Sequence, residues 1–348
     1  MRLLFYVAKR YSIPVVLPIV RLCENRSVPF ALFLSRRVLE AMPDEWRGAP
    51  VFDNRREAAA FHPDFVLSPG NFVDFRLPGV KVQIFHGLGV EKESHYRIRH
   101  FFDIYCTSGP MVTRRFQRLR KRYGYFMVEE TGWPKMDYIL GYDTSGLRER
   151  WNIPPKKRVV LYAPTFSSGM ESATDLIPVL PNAVRNDEIW LVKLHELAPP
   201  RLVEGAKALE GIEGIRMVET DDVTPLLHLA DALVSDTSSV VYEFMALDRP
   251  AVTYRSRGRK GKALDITEPR QLRSALDEAL EGAAAAGGVA SLAEVNPHLD
   301  QRCSNRVLDL LGRVHGNPSL LPKRRKPLNL VRKLQVVWHE RFRKGYLR

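Results

Sequence analysis

Short apolar runs alternate with longer mixed segments along this chain, and the alternation happens twice. In the first half, Arg2–Val7, Val28–Leu34, Phe65–Ser68, Lys81–Phe85, Ile104–Thr107 and Phe126–Glu129 read as strands. Tyr11–Asn25, despite its prolines, and Gly109–Tyr123 read as helices, the latter with a cationic face of Arg114, Arg115, Arg118, Arg120, Lys121 and Arg122. A polar, proline-containing linker, Asn152–Arg158, interrupts the pattern, and strands resume at Val159–Tyr162, Ile189–Lys193, Ile215–Val218, Ala232–Ser235 and Ala251–Tyr254. Short buried strands separated by helices predict an α/β fold with mainly parallel sheets. A length of 348 residues suits two domains of ordinary size. The expected architecture is two facing Rossmann-like domains, 1–150 and 151–315, with a cleft between them and a basic tail over 316–348. Ligands of such sheets sit at the carboxyl ends of strands. The low-complexity stretch Gly282–Ala290 reads as a surface loop or frayed helix end.

Charge divides the chain differently. Lys and Arg number 53 against 40 Asp and Glu, a net +13. The last 33 residues hold ten of those bases and one acid, so they carry +9 and the other 315 carry +4. The basic balance describes a tail more than a body, and it is compatible with nucleic acid, an anionic membrane or a solvated helix. Cys23, Cys106 and Cys303 are widely spaced and odd in number, which argues against a disulfide framework or zinc ribbon and for a reducing compartment. His95 and His100 lack metal-ligand spacing and no HExxH occurs. Met1–Cys23 imitates a signal peptide only faintly, since Lys9 and Arg10 interrupt it. No apolar run approaches the ~18 residues of a membrane-spanning helix.

Three places could carry chemistry. In Ala232–Leu247 an apolar strand runs into Ser235, Asp236, Thr237, Ser238 and Ser239 and then into a helical pattern. Hydroxyls beside unpaired backbone N–H groups make a phosphate seat; plain helix capping is the competing reading. No GxGxxG or Walker-type glycine run accompanies it. At the end of another strand Lys193 and His195 alternate to one face, where the imidazole could donate to a phosphate or only bond a loop. A third strand runs into His86-Gly87, an imidazole with a pKa near ~6.5 suited to a general base, or a purely structural strand-end histidine.

Phe85-His-Gly87, Thr107-Ser-Gly-Pro110, Gly132-Trp-Pro-Lys-Met-Asp137, Leu161-Tyr-Ala-Pro-Thr-Phe166, Lys193-Leu-His195 and Leu229–Pro250, with its Ser-Asp-Thr-Ser-Ser core, occur in this order. Over roughly residues 80–312 the chain resembles the CDP-glycerol glycerophosphotransferase family of bacterial teichoic-acid and capsule enzymes, which is similar to two-domain GT-B glycosyltransferases. The resemblance implies transfer of a polyol phosphate, glycerol phosphate in the first instance, from a CDP-activated donor to a hydroxyl of a lipid-linked glycan or polymer, with release of CMP. It makes the first domain the acceptor side and the second the donor side. It implies that His86 is the general base and that His195, Ser238 and Ser239 meet the donor diphosphate, with Gly87, Thr165, Lys193, Ser235, Asp236, Thr237 and Glu243 completing the substrate-binding set. No resident cofactor is expected, with Mg²⁺ a companion of the nucleotide donor. A GT-B glycosyltransferase or nucleotide-sugar 2-epimerase is the alternative, and a non-enzymatic basic adaptor a third reading.

In the tail, Val331, Leu334, Trp338, Phe342 and Tyr346 follow three- and four-residue spacing among Arg332, Lys333, Arg341, Arg343 and Lys344. A basic amphipathic helix of this kind suits an anionic membrane surface, and docking on the first domain is the alternative. No nucleic-acid motif is present. The expected location is the cytoplasm, peripheral to the inner face of the membrane.

Overall fold

Leu3-Leu-Phe-Tyr-Val7 is buried at every position, which only the interior of a sheet covered on both faces allows. The computed structural model, which describes residues 1–257, 263–282 and 291–342, places this run at the centre of a seven-stranded sheet. Its strands are β1 (Leu3–Val7), β2 (Phe30–Leu34), β3 (Val51–Phe52), β4 (Phe65–Ser68), β5 (Val80–Gln83), β6 (Ile104–Thr107) and β7 (Met127–Glu130). All neighbours pair in parallel, in the order β3-β2-β1-β4-β5-β6-β7. A second sheet holds β8 (Arg158–Tyr162), β9 (Glu188–Val192), β10 (Ile215–Met217), β11 (Ala232–Ser235), β12 (Ala251–Tyr254) and β13 (Leu264–Ile266). It is also wholly parallel, in the order β10-β9-β8-β11-β12-β13. Both orders reverse at their first strand, the arrangement of a Rossmann-like sheet, and ligands of such sheets bind at that reversal.

Every strand expected from the sequence is present. The two additional ones, β3 and β13, are two and three residues long, too short for a periodic signal. The helix Ile13–Asn25 forms despite Pro14 and Pro18. Pro14 sits in its first turn, where the missing N–H costs nothing.

The chain divides into two compact units. One comprises Met1–Gly87, Glu93–Tyr138 and the chain from Asn296 onward; the other comprises Leu88–Lys92 and Ile139–Val295. These limits differ from boundaries at 150 and 315. The closing helix Cys303–Gly316, expected in the second domain, returns to the first unit. There the Asp137 carboxylate accepts from the backbone N–H groups of Cys303 (3.0 Å) and Ser304 (2.6 Å). Arg26 pairs with Asp309 at 2.9 Å and Arg313 with Glu129 at 2.6 Å. Cys23, Cys106 and Cys303 are all buried and reduced, and burial pushes the Cys23 and Cys106 thiols up to about 12, so neither is a nucleophile at neutral pH.

The tail also belongs to the first unit. Lys326 Nζ donates to Asp103 at 2.8 Å and to the Phe101 carbonyl at 3.0 Å. Asn329 donates to the Arg99 carbonyl and Arg332 to that of Ile98. Polar contacts thus tie the lead-in to the helix Leu330–Phe342, and Arg332 in its first turn, to the first unit. Residues 283–290 and 343–348 lie outside the described residues, as do the side chains of Arg341 and Phe342, so the loop expected at Gly282–Ala290 and the last part of the tail stripe are not described further.

Candidate functional site

In the first unit, β5 ends at Gln83 and the chain reaches His86 through Phe85, whose φ is +54°. A phenylalanine in the left-handed region costs about 1–3 kcal/mol and persists only where its surroundings fix it. Here the Trp133 indole N–H donates to the Phe85 carbonyl at 3.1 Å, and the Phe85 ring stacks on His95 at 4.8 Å. Burial drives the His95 pKa down to about 3, so it packs as a neutral ring. Trp133 is itself held by Asn296, whose Oδ1 accepts the Trp133 backbone N–H at 3.0 Å.

The turn puts the His86 ring beside Tyr11 (5.7 Å between centroids) with Nδ1 at 3.3 Å from the Pro69 carbonyl. A carbonyl only accepts, so Nδ1 carries the proton in that bond and Nε2 keeps a lone pair. This is the state a general base needs. His86 lines a cavity of about 270 Å³ at the carboxyl ends of β1 and β4, where the first sheet reverses.

In the second unit the corresponding reversal lies between β8 and β11. Past β8 the Thr165 backbone N–H donates to both Asp236 oxygens (2.9 and 3.1 Å). Ser172 donates to Asp236 through its N–H at 2.8 Å and its hydroxyl at 2.9 Å. Asp236 is fully buried, and burial raises its pKa to about 6 against the lowering effect of these donors. Its oxygens are thus taken up in holding the 165–172 loop. Ser235, also fully buried, donates to the Ala163 carbonyl at 2.6 Å, and Thr237 Oγ1 accepts the Arg257 N–H at 2.9 Å. Ser235, Asp236 and Thr237, expected to contact substrate, make these bonds within the protein and so frame the loop. Ser238 and Ser239 are half-buried, just ahead of the six-residue helix Val240–Met245. Glu243 is buried within that helix.

His195 stands past β9 with its ring 4.3 Å from that of Phe166. Its Nδ1 accepts the Leu197 N–H at 3.0 Å, so Nε2 carries the proton and is a donor. Lys193 Nζ lies 3.5 Å from the Leu194 carbonyl. The same region contains Lys92, which sequence reasoning missed. Its Nζ donates to Thr165 Oγ1 and Ser167 Oγ, each at 3.3 Å, and lies 5.7 Å from the Phe166 ring centre. Burial lowers its pKa, opposed by Asp236 and Glu91. The second unit therefore gathers an ammonium, an imidazole N–H and the Thr165 and Ser167 hydroxyls around Phe166, an arrangement of donors suited to an anion. Lys92 follows the His86-Gly87 signal by a few residues but belongs to the other unit, which a linear reading does not reveal. Among the described residues, no group of three His, Cys, Asp or Glu is placed to hold a metal.

Two wholly parallel sheets with reversed strand orders define an α/β protein of two Rossmann-like domains, GT-B-like in class. The wall teichoic acid polymerase TagF has this fold as well: its structure matches with a TM-score of 0.68 over 90% of this chain and 88% of that one, at 16% identity. Residues 86–258 match the family of CDP-glycerol:poly(glycerophosphate) glycerophosphotransferases, and this stretch belongs to it. A teichoic acid glycerol-phosphate transferase of Staphylococcus aureus is 31% identical over 140 residues, covering 36% of this chain and 35% of that protein. A teichoic acid glycerol-phosphate primase of Bacillus spizizenii is 31% identical over 120 residues, covering 34% and 30%. The chain thus matches about a third of the length of these curated relatives.

Proposed function

We propose that the protein transfers a polyol phosphate, glycerol phosphate in the first instance, from a CDP-activated donor to a hydroxyl of a lipid-linked glycan or envelope polymer, releasing CMP. The observation that carries this reading is the opposite hydrogen-bonding state of the two histidines. His86 Nδ1 donates to the Pro69 carbonyl and His195 Nδ1 accepts the Leu197 N–H, so the two imidazoles are opposite tautomers, which suits His86 to the base role and His195 to the donor role, in a chain whose residues 86–258 match the glycerophosphotransferase family.

The first unit supplies the base. The acceptor O–H bond breaks, its proton passes to His86 Nε2, and the oxygen bonds to the phosphorus that bears the polyol. The bridging P–O bond to the cytidylyl phosphate breaks and CMP leaves. Phosphoryl transfer depends on positioning and charge stabilisation more than on covalent help. In the second unit Lys92, Lys193, His195 Nε2–H and the hydroxyls of Ser238 and Ser239 provide that stabilisation, with Thr165 holding Lys92 in place. Mg²⁺ accompanies the nucleotide rather than a protein cage.

The enzyme works at the inner face of the membrane. Leu328, Leu330, Val331, Leu334 and Trp338 are 61–72% exposed, and Lys323, Arg324 and Arg325 precede them in exposed positions. Apolar side chains ringed by cations suit an anionic lipid surface. Among the described residues, no helix is long and apolar enough to cross a membrane.

The test is CMP release from CDP-glycerol in the presence of a lipid-linked acceptor, comparing wild type with His86→Ala and His195→Ala. Both variants should retain the wild-type circular dichroism and lose turnover. Unchanged turnover in the two folded variants would overturn the assigned roles.

A further inference from the structure

The cavity at His86 has chemistry of its own. Tyr11, Phe72 and Val336 give it apolar walls, and Asn71, Asp74 and His86 place polar atoms on it. Among its described lining residues Asp74 is the one carboxylate and Lys9 the one cation. The Asp74 oxygens take the Arg76 guanidinium as a fork, at 2.9 and 2.7 Å, so the pair presents no net charge. A volume of about 270 Å³ lies just under the usual ligand range of about 300–1,000 Å³. That is room for one small unit and not for a chain. Aromatic faces with a few convergent hydrogen-bonding groups suit a polyhydroxylated unit with apolar C–H faces. With the Asp74–Arg76 pair neutral, a phosphodiester anion would meet a single ammonium, Lys9, which is already engaged within the protein, and would gain little for its desolvation.

Val336 comes from the C-terminal helix. Arg332, one turn earlier, donates to the Ile98 carbonyl at 3.1 Å, and residues four apart share a helix face. Arg332 and Val336 thus turn inward while Val331, Leu334 and Trp338 stay exposed. One helix carries both the cavity wall and the exposed apolar stripe.

We propose that this cavity is the acceptor subsite for a single uncharged sugar unit, which presents its hydroxyl to His86, and that Val336 of the C-terminal helix completes the subsite. The inference rests on the transferase reading above and narrows its acceptor to a neutral glycan end instead of a poly(glycerol phosphate) chain.

The experiment is isothermal titration of the full-length protein with three probes: methyl glycosides of neutral hexoses and N-acetylhexosamines, a water-soluble glycerol phosphate trimer, and CDP-glycerol. At least one glycoside should bind at least tenfold more tightly than the trimer. Val336→Trp, which fills the cavity, should weaken that glycoside at least tenfold and leave CDP-glycerol affinity within twofold; Tyr11→Ala, which removes an aromatic wall, should do the same. Circular dichroism confirms that each variant is folded. Absence of glycoside binding, tighter binding of the trimer, or glycoside affinity indifferent to both substitutions would overturn the subsite. Glycoside binding that responds to both substitutions, in a wild-type protein that ignores CDP-glycerol, would support the subsite and overturn the donor reading.

Discussion

At the scale of single residues, what matters most is the hydrogen-bonding state the fold imposes. The bond to the Pro69 carbonyl puts the His86 proton on Nδ1, which makes Nε2 the basic nitrogen. Replacing His86 by alanine should therefore remove a base step worth about 10²–10⁴-fold in kcat, with CDP-glycerol binding retained, as steady-state and binding measurements on one preparation would show. Asp236 titrates at higher pH than a surface carboxylate. Burial raises its pKa from 3.8 to about 6, so its protonated form fits the fold better and its contribution to stability is full below pH 3.8 and lost as pH rises through about 6. Over that range wild type should lose up to about 3 kcal/mol relative to the non-titrating Asp236→Asn. Denaturant unfolding of both at pH 4 and pH 7 measures the difference, and a constant difference would rule out the raised pKa. At this scale His86 and His195 were legible as candidates, because histidines at strand ends stand out. The loop frame held by Ser235 and Asp236 was not legible, because their residue types suit a ligand and a frame equally. The sequence was silent on Lys92, since a lone lysine in a loop carries no pattern.

At the scale of elements, the strands were legible because parallel strands buried on both faces are continuous apolar runs. What no period encodes is where an element is pinned by a distant side chain. The Trp133 indole holds the strained Phe85 carbonyl, so Trp133→Phe should leave the packing nearly intact while freeing the turn that aims His86. The expected result is a fall of about tenfold in kcat with little change in donor KM, the signature of lost positioning. Asp137 caps the helix Cys303–Gly316 from far away in sequence. Asp137→Ala should cost about 1–2 kcal/mol in unfolding free energy, read from denaturant midpoints at unchanged m-value. Neither link has a local sequence signature, which is why the closing helix was expected in the second domain, 151–315, and not in the unit that caps it.

For the whole molecule, the net +13 is concentrated in a tail that the fold uses on two sides. Lys326, Asn329 and Arg332 tie one side of it to the first unit, while Leu330, Val331, Leu334 and Trp338 remain exposed. Docking and the proposed membrane contact, which looked like alternatives from the helical spacing alone, draw on different faces of the same segment and so do not compete. The two roles therefore separate by substitution better than by deletion, which would remove both. Leu334→Glu with Trp338→Glu should abolish most binding to vesicles containing anionic lipid while leaving the thermal midpoint and CDP-glycerol affinity unchanged. Lys326→Ala should lower the thermal midpoint and spare most vesicle binding, since it breaks a half-buried pair and not the exposed face. Wild-type binding should also weaken as salt rises, because the cations act over a Debye length of about 8–10 Å at ordinary ionic strength. Vesicle binding that survives the double glutamate substitution at low salt would show that the cations suffice without the apolar stripe, and the tail would then be an electrostatic anchor.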